Sequence, residues 1–407
     1  MKERNWDQLI HTTKQLTKPN AHKGLLTDQD ISELKTALIR IINRFFDKGE
    51  IHKGLKIYVE GELKNVYADK MSQIKPSEID GLQEWGKKVF EDQKYGVVFN
   101  SLESYDNNIV EQMCRITSPL IDQVGLPLGG LSFLFFMGNY GFTPFGIHKE
   151  AKGEEGFLFH LGPGNKDFYT WDNEELNQVE HNTVVFTDIE AMIPSSTGYQ
   201  LSPGSVMYIP DQVFHIAKTE DFSISVVMDF INPSRDYLVK MLAKEVIEIE
   251  GPENVSTPYL KPYSIKSDHL KSSTFLDESS IYSKFEIALQ RKIMKLKSNG
   301  GVLKPSIPLN KARLPNDDCK IKGKLVFPLI LTSVDSDRSM IYARGNEISV
   351  SNNSRLPAIL SRLNAGLDIE INLLKEELIE EWELSQVFSF IFELIRYEAV
   401  EVINEVT

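Results

Sequence analysis

The 407 residues are enough for two or three domains with cores of their own, and fractions of 41% hydrophobic and 25% charged are those of a globular protein. No stretch approaches the roughly 18 apolar residues of a membrane-spanning helix, and the longest apolar run, Leu131–Met137, is strand-sized. A formal net charge of −13 argues against a phosphate-backbone partner, so no nucleic acid is expected; a solvated acidic surface accounts for it, and a cationic peptide or protein substrate is also compatible.

The polar N-terminus MKERNWDQLI has no apolar run of the secretory kind. Cys114 and Cys319 lie far apart and outside any Cys-x-x-Cys pair, which excludes a disulfide framework and a cysteine-based zinc site. Both features fit a reducing cytoplasm, where the sequon match Asn254-Val-Ser256 is a chance occurrence.

The first hundred or so residues read as mainly helical. Thr27, with Asp28 and Asp30, is a cap signal; Ile31, Leu34, Leu38, Ile41, Ile42 and Phe45 follow at helical spacing, and Gly49 stops the run. Ile109, Met113, Ile116 and Leu120 predict a second amphipathic helix ending near Gly125. From about Leu131 to Asn232 the runs LSFLFFM, FLFHL, TVVFT, SVMYIP and FSISVVMDFI alternate with Gly, Pro and Asp turn signals. That texture predicts an antiparallel sandwich or barrel, with room for the strands of a jelly roll.

After Pro233 a helix is expected over Arg235–Glu250, then a Pro-, Ser- and Lys-rich linker (Gly251–Ser273) and a helix near Ser280–Lys297. The tail offers a strand-like KLVFPLIL and the hairpin signal MIYARGNEISV. A helix follows, capped by Ser354, carrying Leu356, Ile359, Leu360 and Leu363 and closed by Gly366. A short acidic helix, a longer one with Leu384, Val387, Phe388, Ile391 and Ile395, and a strand over Ala399–Asn404 complete the order of a winged-helix domain. The expected fold is α+β: residues 1–125 helical and packed on a barrel, 126–233 the barrel, 234–320 a helical connector, 321–407 winged-helix-like.

TPFGIHKEAKGEEGFLFH (Thr143–His160) carries the chemistry. In a strand, residues i and i+2 share a face, so His148 and Glu150 project together and Lys149 away. A carboxylate buried beside an imidazole is costly unless its charge is paired, and a divalent metal would pair it. A third ligand comes from LSPGSVMYIPDQVFHIAKT (Leu201–Thr219), where turns at Pro203-Gly204 and Pro210–Gln212 deliver His215 to the start of a strand. Two histidines and one carboxylate form the facial set that suits non-haem Fe(II) and oxygen chemistry. The alternative is a metal-free barrel in which His148 and Glu150 pair in the core.

Taken together, GIHKE, FLFHLGPGNKDFYTW and PGSVMYIPDQVFH resemble the Jumonji C, cupin-like branch of the Fe(II)/2-oxoglutarate-dependent oxygenases. The resemblance implies a double-stranded β-helix core in which His148, Glu150 and His215 match the metal ligands. It matches Lys166, heading KDFYTW, to the basic residue that holds the distal carboxylate of 2-oxoglutarate. The alternative is an exposed turn lysine, and the LGPGNK loop is one residue longer than the family spacing. Tyr140, Asn139 and Thr143 are candidates for the hydroxyl or amide that completes the co-substrate pocket. His160 stands where the family has a pocket-lining polar residue, as a co-substrate or supporting contact, or else as a satisfied core histidine. Trp171 backs the pocket or is core, and His181, between Glu180 and Asn182, reads as surface.

The implied activity is that of a dioxygenase: oxidative decarboxylation of 2-oxoglutarate, with dioxygen, coupled to hydroxylation of a substrate C–H. Bacterial ribosomal-protein hydroxylases resemble the chain in layout, with a barrel, a helical connector used for dimerisation and a C-terminal winged helix. That layout implies a polypeptide substrate and a homodimer. Winged-helix modules also recognise leader peptides, so modification of a ribosomally made peptide is equally compatible. Ser354–Glu381 has few basic residues and an ELIEE run, so DNA binding is not expected there. Rival readings are an oxygenase of a free amino acid or other small metabolite, and a non-catalytic metal-binding cupin regulator.

Overall fold

The computed structural model describes residues 4–47, 54–77, 81–171, 188–249 and 278–403. Gly49, the TVVFT run, His181 and the Gly251–Ser273 linker with its sequon lie outside the described residues. In the N-terminal and central parts the strands are β1 (Asn20–His22), β2 (Leu55–Val59), β3 (Glu62–Leu63), β4 (Tyr95–Asn100), β5 (Gly130–Gly138) and β6 (Gly141–Phe142). They continue with β7 (Glu154–Pro163), β8 (Lys166–Trp171), β9 (Thr197–Leu201), β10 (Val206–Ile209), β11 (Phe214–Thr219) and β12 (Ser223–Ile231). They form two antiparallel sheets, an eight-stranded one ordered β1-β10-β7-β12-β5-β4-β2-β3 and a four-stranded one ordered β6-β11-β8-β9.

Strand alternation sorts the side chains of the large sheet onto two faces. Leu131, Phe133, Phe135 and Met137 of β5, with Val226 and Met228 of β12 and Phe157 and Phe159 of β7, pack under α1 (Trp6–Thr12), α2 (Asp28–Asp47), α4 (Gly81–Phe90) and α5 (Asn107–Val124); α3 (Tyr67–Gln73) adds Met71. Leu158, Val227, Met207 and Ile209 point the other way and meet Phe168, Leu201 and Ala217 of the small sheet, so the two sheets stack face to face. The small sheet's outer face buries Ile147, Trp171, Phe214 and Ile216 under a short helix, α6 (Ile189–Met192), and the turn after it.

α2 starts where the sequence signals it. Thr27 Oγ1 accepts the Asp30 N–H at 3.1 Å and Asp30 Oδ2 accepts the Thr27 N–H at 2.8 Å, a reciprocal cap. The N-terminal region is mainly helical, as expected, but it also carries four strands. β1 pairs with β10 (Ala21 opposite Met207) and β4 with β5 (Phe99 opposite Phe135), so β1–β4 extend the large sheet at both edges. LKIYV and YGVVFN are short runs flanked by longer helical patterns, which dominate the reading by periodicity.

α7 (Arg235–Ile249) and α8 (Glu278–Ser298) pair through Lys295 Nζ and Glu245 Oε1 at 2.5 Å, and expose Tyr237 and Tyr282. Beyond them stand β13 (Lys320–Gly323), β14 (Ile330–Ser333), β15 (Arg338–Ala343), β16 (Asn346–Ser351), α9 (Leu356–Asn364), β17 (Asp368–Glu370), α10 (Ile371–Leu378), α11 (Leu384–Arg396) and β18 (Val400–Ile403). Two three-stranded sheets, β17-β13-β18 and β14-β15-β16, enclose a separate core with these helices, including Ile321, Ile341, Leu360, Leu374 and Leu394.

Three expectations for this region change. KLVFPLIL is a turn until Ile330, because Phe327 and Val326 pack against the N-terminal core, and the strand ahead of it, β13, was hidden by its lysines. Ser354 does not cap α9; its hydroxyl and N–H bind the Glu381 carboxylate. The final strand is Val400–Ile403, and Asn404 lies outside the described residues. Arg344 joins this part to the rest: its buried guanidinium lies 3.7 Å from the Phe327 ring centre and donates to Glu398 O at 3.3 Å and to Asn107 O at 3.5 Å. Among the described residues no helix is long and apolar enough to cross a membrane.

Candidate metal centre

His148 and His215 meet as a hydrogen-bonded antiparallel pair, with His148 N donating to His215 O at 3.1 Å and His215 N to His148 O at 2.8 Å. This pairing sets the imidazoles side by side, ring centres 4.3 Å apart. Gly146 and the turn at Ala151–Glu154 leave no room for the regular strand expected around His148; one bridge suffices to aim it. Glu150 Oε1 lies 3.9 Å from His148 Nε2 and 3.7 Å from His215 Nε2.

Each Nδ1 faces a backbone carbonyl, Gly146 O at 3.1 Å and Val213 O at 3.0 Å. A carbonyl only accepts, so each Nδ1 carries the proton and each Nε2 turns a lone pair toward Glu150. Burial pushes the His215 imidazole down to about 4; burial first, then His215 itself, lowers His148. Both rings are therefore neutral near pH 7. Phe145 meets the His148 ring edge-on at 4.6 Å, and Phe168 stacks on His215 at 5.5 Å, which limits rotation of both. The three donor atoms lie within 4.8 Å of one another, and two neutral imidazole nitrogens with a carboxylate oxygen fit a divalent cation.

These residues line a cavity of about 400 Å³ between the stacked sheets. Lys166 also lines it, and is not an exposed turn lysine: it is 1% exposed, because alternation along β8 turns Lys166 and Phe168 inward and Trp171 outward. Its Nζ donates to Tyr140 Oη at 3.0 Å, and burial lowers the ammonium to about 7. Tyr140 and Thr143 line the same cavity, though the Thr143 hydroxyl donates to Ala217 O at 3.0 Å.

The other candidates sit elsewhere. Asn139 accepts the Tyr95 N–H through Oδ1 at 3.1 Å, at the edge of β4, and is not among the cavity-lining residues. His160 is buried behind the cavity: its Nε2 donates to Gly164 O at 2.7 Å, leaving Nδ1 to accept from the Ser225 hydroxyl at 3.2 Å. Burial, then nearby Lys166, pushes it down to about 3, so it is a neutral, satisfied histidine. Trp171 lies on the outer face of the small sheet, with Nε1 donating to Ser195 Oγ at 3.1 Å.

Sequence reasoning missed Asp229, Glu154 and Asn100, which also line the cavity. Burial, then Glu150 and Glu154, raises the Asp229 carboxyl to about 8. The signal was present in FSISVVMDFI, where Ser225, Val227 and Asp229 share one face and an acid there has no structural reason. A larger cleft of about 670 Å³, on the helical side of the sheet beside Glu155 and Phe230, contains none of these residues.

No family model and no curated protein sequence matches the chain. Solved structures do: Escherichia coli YcfD is 13% identical with a TM-score of 0.53, covering 98% of both chains. Two further structures, described as the E. coli ribosomal oxygenase YcfD and as its complex with cobalt and 2-oxoglutarate, are each 12% identical over 98% of both chains, with TM-scores of 0.50 and 0.51. At this identity the likeness is one of fold, over the whole length of the described architecture.

Proposed function

We propose that this chain is an Fe(II)- and 2-oxoglutarate-dependent oxygenase that hydroxylates a side chain of a peptide or protein. The observation that carries the proposal is the meeting of the His148 and His215 Nε2 atoms and the Glu150 carboxylate in one cavity with a buried lysine, Lys166. The full-length fold likeness to a ribosomal oxygenase supports it. In this reading the stacked sheets are the double-stranded β-helix, 1–125 its flanking region, 234–320 the connector and 321–407 a winged-helix module. The exposed Tyr237 and Tyr282 of the connector helices are its dimer contact.

The metal and co-substrate supply the oxidation: dioxygen and 2-oxoglutarate give succinate, carbon dioxide and one oxygen atom placed on a substrate C–H. The chain's own residues bind, orient and exclude water. His148, Glu150 and His215 hold the metal; Lys166, beside the Tyr140 hydroxyl, pairs the distal carboxylate of 2-oxoglutarate, which would otherwise be buried unpaired. Phe136, Phe145, Phe168 and Val227 keep the reacting space apolar. The carboxyl oxygens of Asp229 and Glu154 favour a substrate side chain rich in N–H donors.

The test is succinate release from 2-oxoglutarate with Fe(II), followed by mass spectrometry of candidate peptides for the gain of one oxygen atom. No succinate under any substrate would leave a non-catalytic metal-binding protein; oxidation of a free amino acid and of no peptide would move the substrate to the metabolite class.

A further inference from the structure

His148 is fixed by its bridge to His215, but Glu150 lies two residues beyond, where the ladder has ended. The side chain of Gln212 meets it there: Nε2 donates to the Glu150 carbonyl oxygen at 2.9 Å. The residue before it, Asp211, accepts the Gly153 N–H through Oδ2 at 2.9 Å. One short turn thus grips the ligand-bearing segment on both sides of Ala151 and Lys152, and three residues later it delivers His215.

Gln212 holds this position at a cost. Its φ of +61° lies in the left-handed region, where a side chain other than Gly, Asn or Asp is disfavoured. Glycine would take that angle freely but would bring no amide to Glu150. Strain of this kind persists where the surrounding structure over-determines it, and it clusters at functional sites.

We infer that Gln212 is a positioning residue of the metal centre: it holds the Glu150 backbone so that the carboxylate faces the two imidazole Nε2 atoms. The inference rests on taking His148, Glu150 and His215 as metal ligands, and it needs no particular substrate or reaction. The Gln212 contact adds a second link, independent of the His148–His215 bridge, between the segment carrying two ligands and the turn delivering the third.

The test uses Gln212→Gly and Gln212→Asn in the full chain. Both residues accept a left-handed backbone, and Asn is too short to reach the Glu150 carbonyl, so each removes the contact without adding strain. Co(II) affinity is read from ligand-field absorption and calorimetry, at a temperature where circular dichroism shows every variant folded. Both variants are expected to melt at or above the wild-type temperature without metal, yet bind Co(II) about ten-fold more weakly, the lower end of what outer contacts contribute. Co(II) affinity within two-fold of wild type in both variants overturns the inference, as does a wild-type chain that binds no Co(II). A wild-type chain that binds Co(II) but releases no succinate with Fe(II) counts against the oxygenase function and leaves the role of Gln212 standing.

Discussion

At the scale of single residues, the two ligand imidazoles owe their form to backbone carbonyls. Because Gly146 O and Val213 O fix the Nδ1 protons, both Nε2 lone pairs are presented before any metal arrives. His148→Ala, Glu150→Ala and His215→Ala are each expected to abolish Fe(II) binding and 2-oxoglutarate turnover; a His215→Ala protein that still turns over would remove the assignment. Lys166→Ala is expected to raise the 2-oxoglutarate needed for half-maximal turnover by about ten- to a hundred-fold, the worth of a charge-assisted hydrogen bond, with Co(II) affinity intact. Burial sets the Lys166 ammonium near 7, so its charge is complete below that pH and lost above it. Co-substrate affinity should therefore strengthen as pH falls through 7, and an affinity flat from pH 6 to 8.5 would mean that the ammonium keeps its charge across that range.

Asp229 gives the opposite sign. Its folded carboxyl, raised to about 8, keeps a proton that the unfolded chain gives up near pH 4, so this residue lowers stability as pH rises between the two. Asp229→Asn should gain in melting temperature over wild type from pH 5 to pH 8; a constant difference would mean the carboxyl ionises normally. Of the cavity residues, His148, Glu150 and His215 were legible from the His-x-Glu pair and the Pro-Gly…His segment, and Lys166 only through the family resemblance, beside the alternative of an exposed turn lysine. Gln212 and Asn100 were not, because a hydrogen bond to a carbonyl and a neighbour two strands away leave no periodic trace.

Among the elements, β5 and β12 hold the molecule together, since each has a strand on both sides and apolar contacts on both faces. That is why LSFLFFM reads as an unbroken apolar run rather than an alternating one. Phe135 is fully buried and stacks on Phe99 with ring centres 5.7 Å apart. Phe135→Ala should cost about 3–5 kcal/mol of stability in denaturant unfolding; a cost under about 1 kcal/mol would mean the helical layer relaxes into the space. Elements with strong periodicity or caps (α2, α5, β5, β12) were legible in the sequence. β13 was not, because Ile321 is its one fully buried apolar side chain and two lysines flank it. β2 and β4 were overshadowed by the longer helical patterns around them.

For the whole molecule, the expected division at residue 125 separates chemistry but not structure. The metal ligands all lie between 148 and 215, yet the large sheet stacked against them is flanked by β1 on one side and by β4, β2 and β3 on the other. Removing residues 1–125 would leave β5 and β10 as bare edges and uncover Leu131, Phe133, Phe135 and Met137. Unpaired strands beside an apolar face are templates for self-association. A fragment of residues 126–233 is therefore expected to aggregate on expression, whereas the full chain stays dispersed; a dispersed, Co(II)-binding fragment would show that the flanking strands are dispensable. The same wrapping bears on synthesis at the ribosome. α1, α2 and β1–β4 emerge first and wait for the central strands, so the chain has exposed edges until β12 has been made. A chain ordered this way gains from a chaperone that shields the early strands, and slowing translation should lengthen the interval in which it can misassociate.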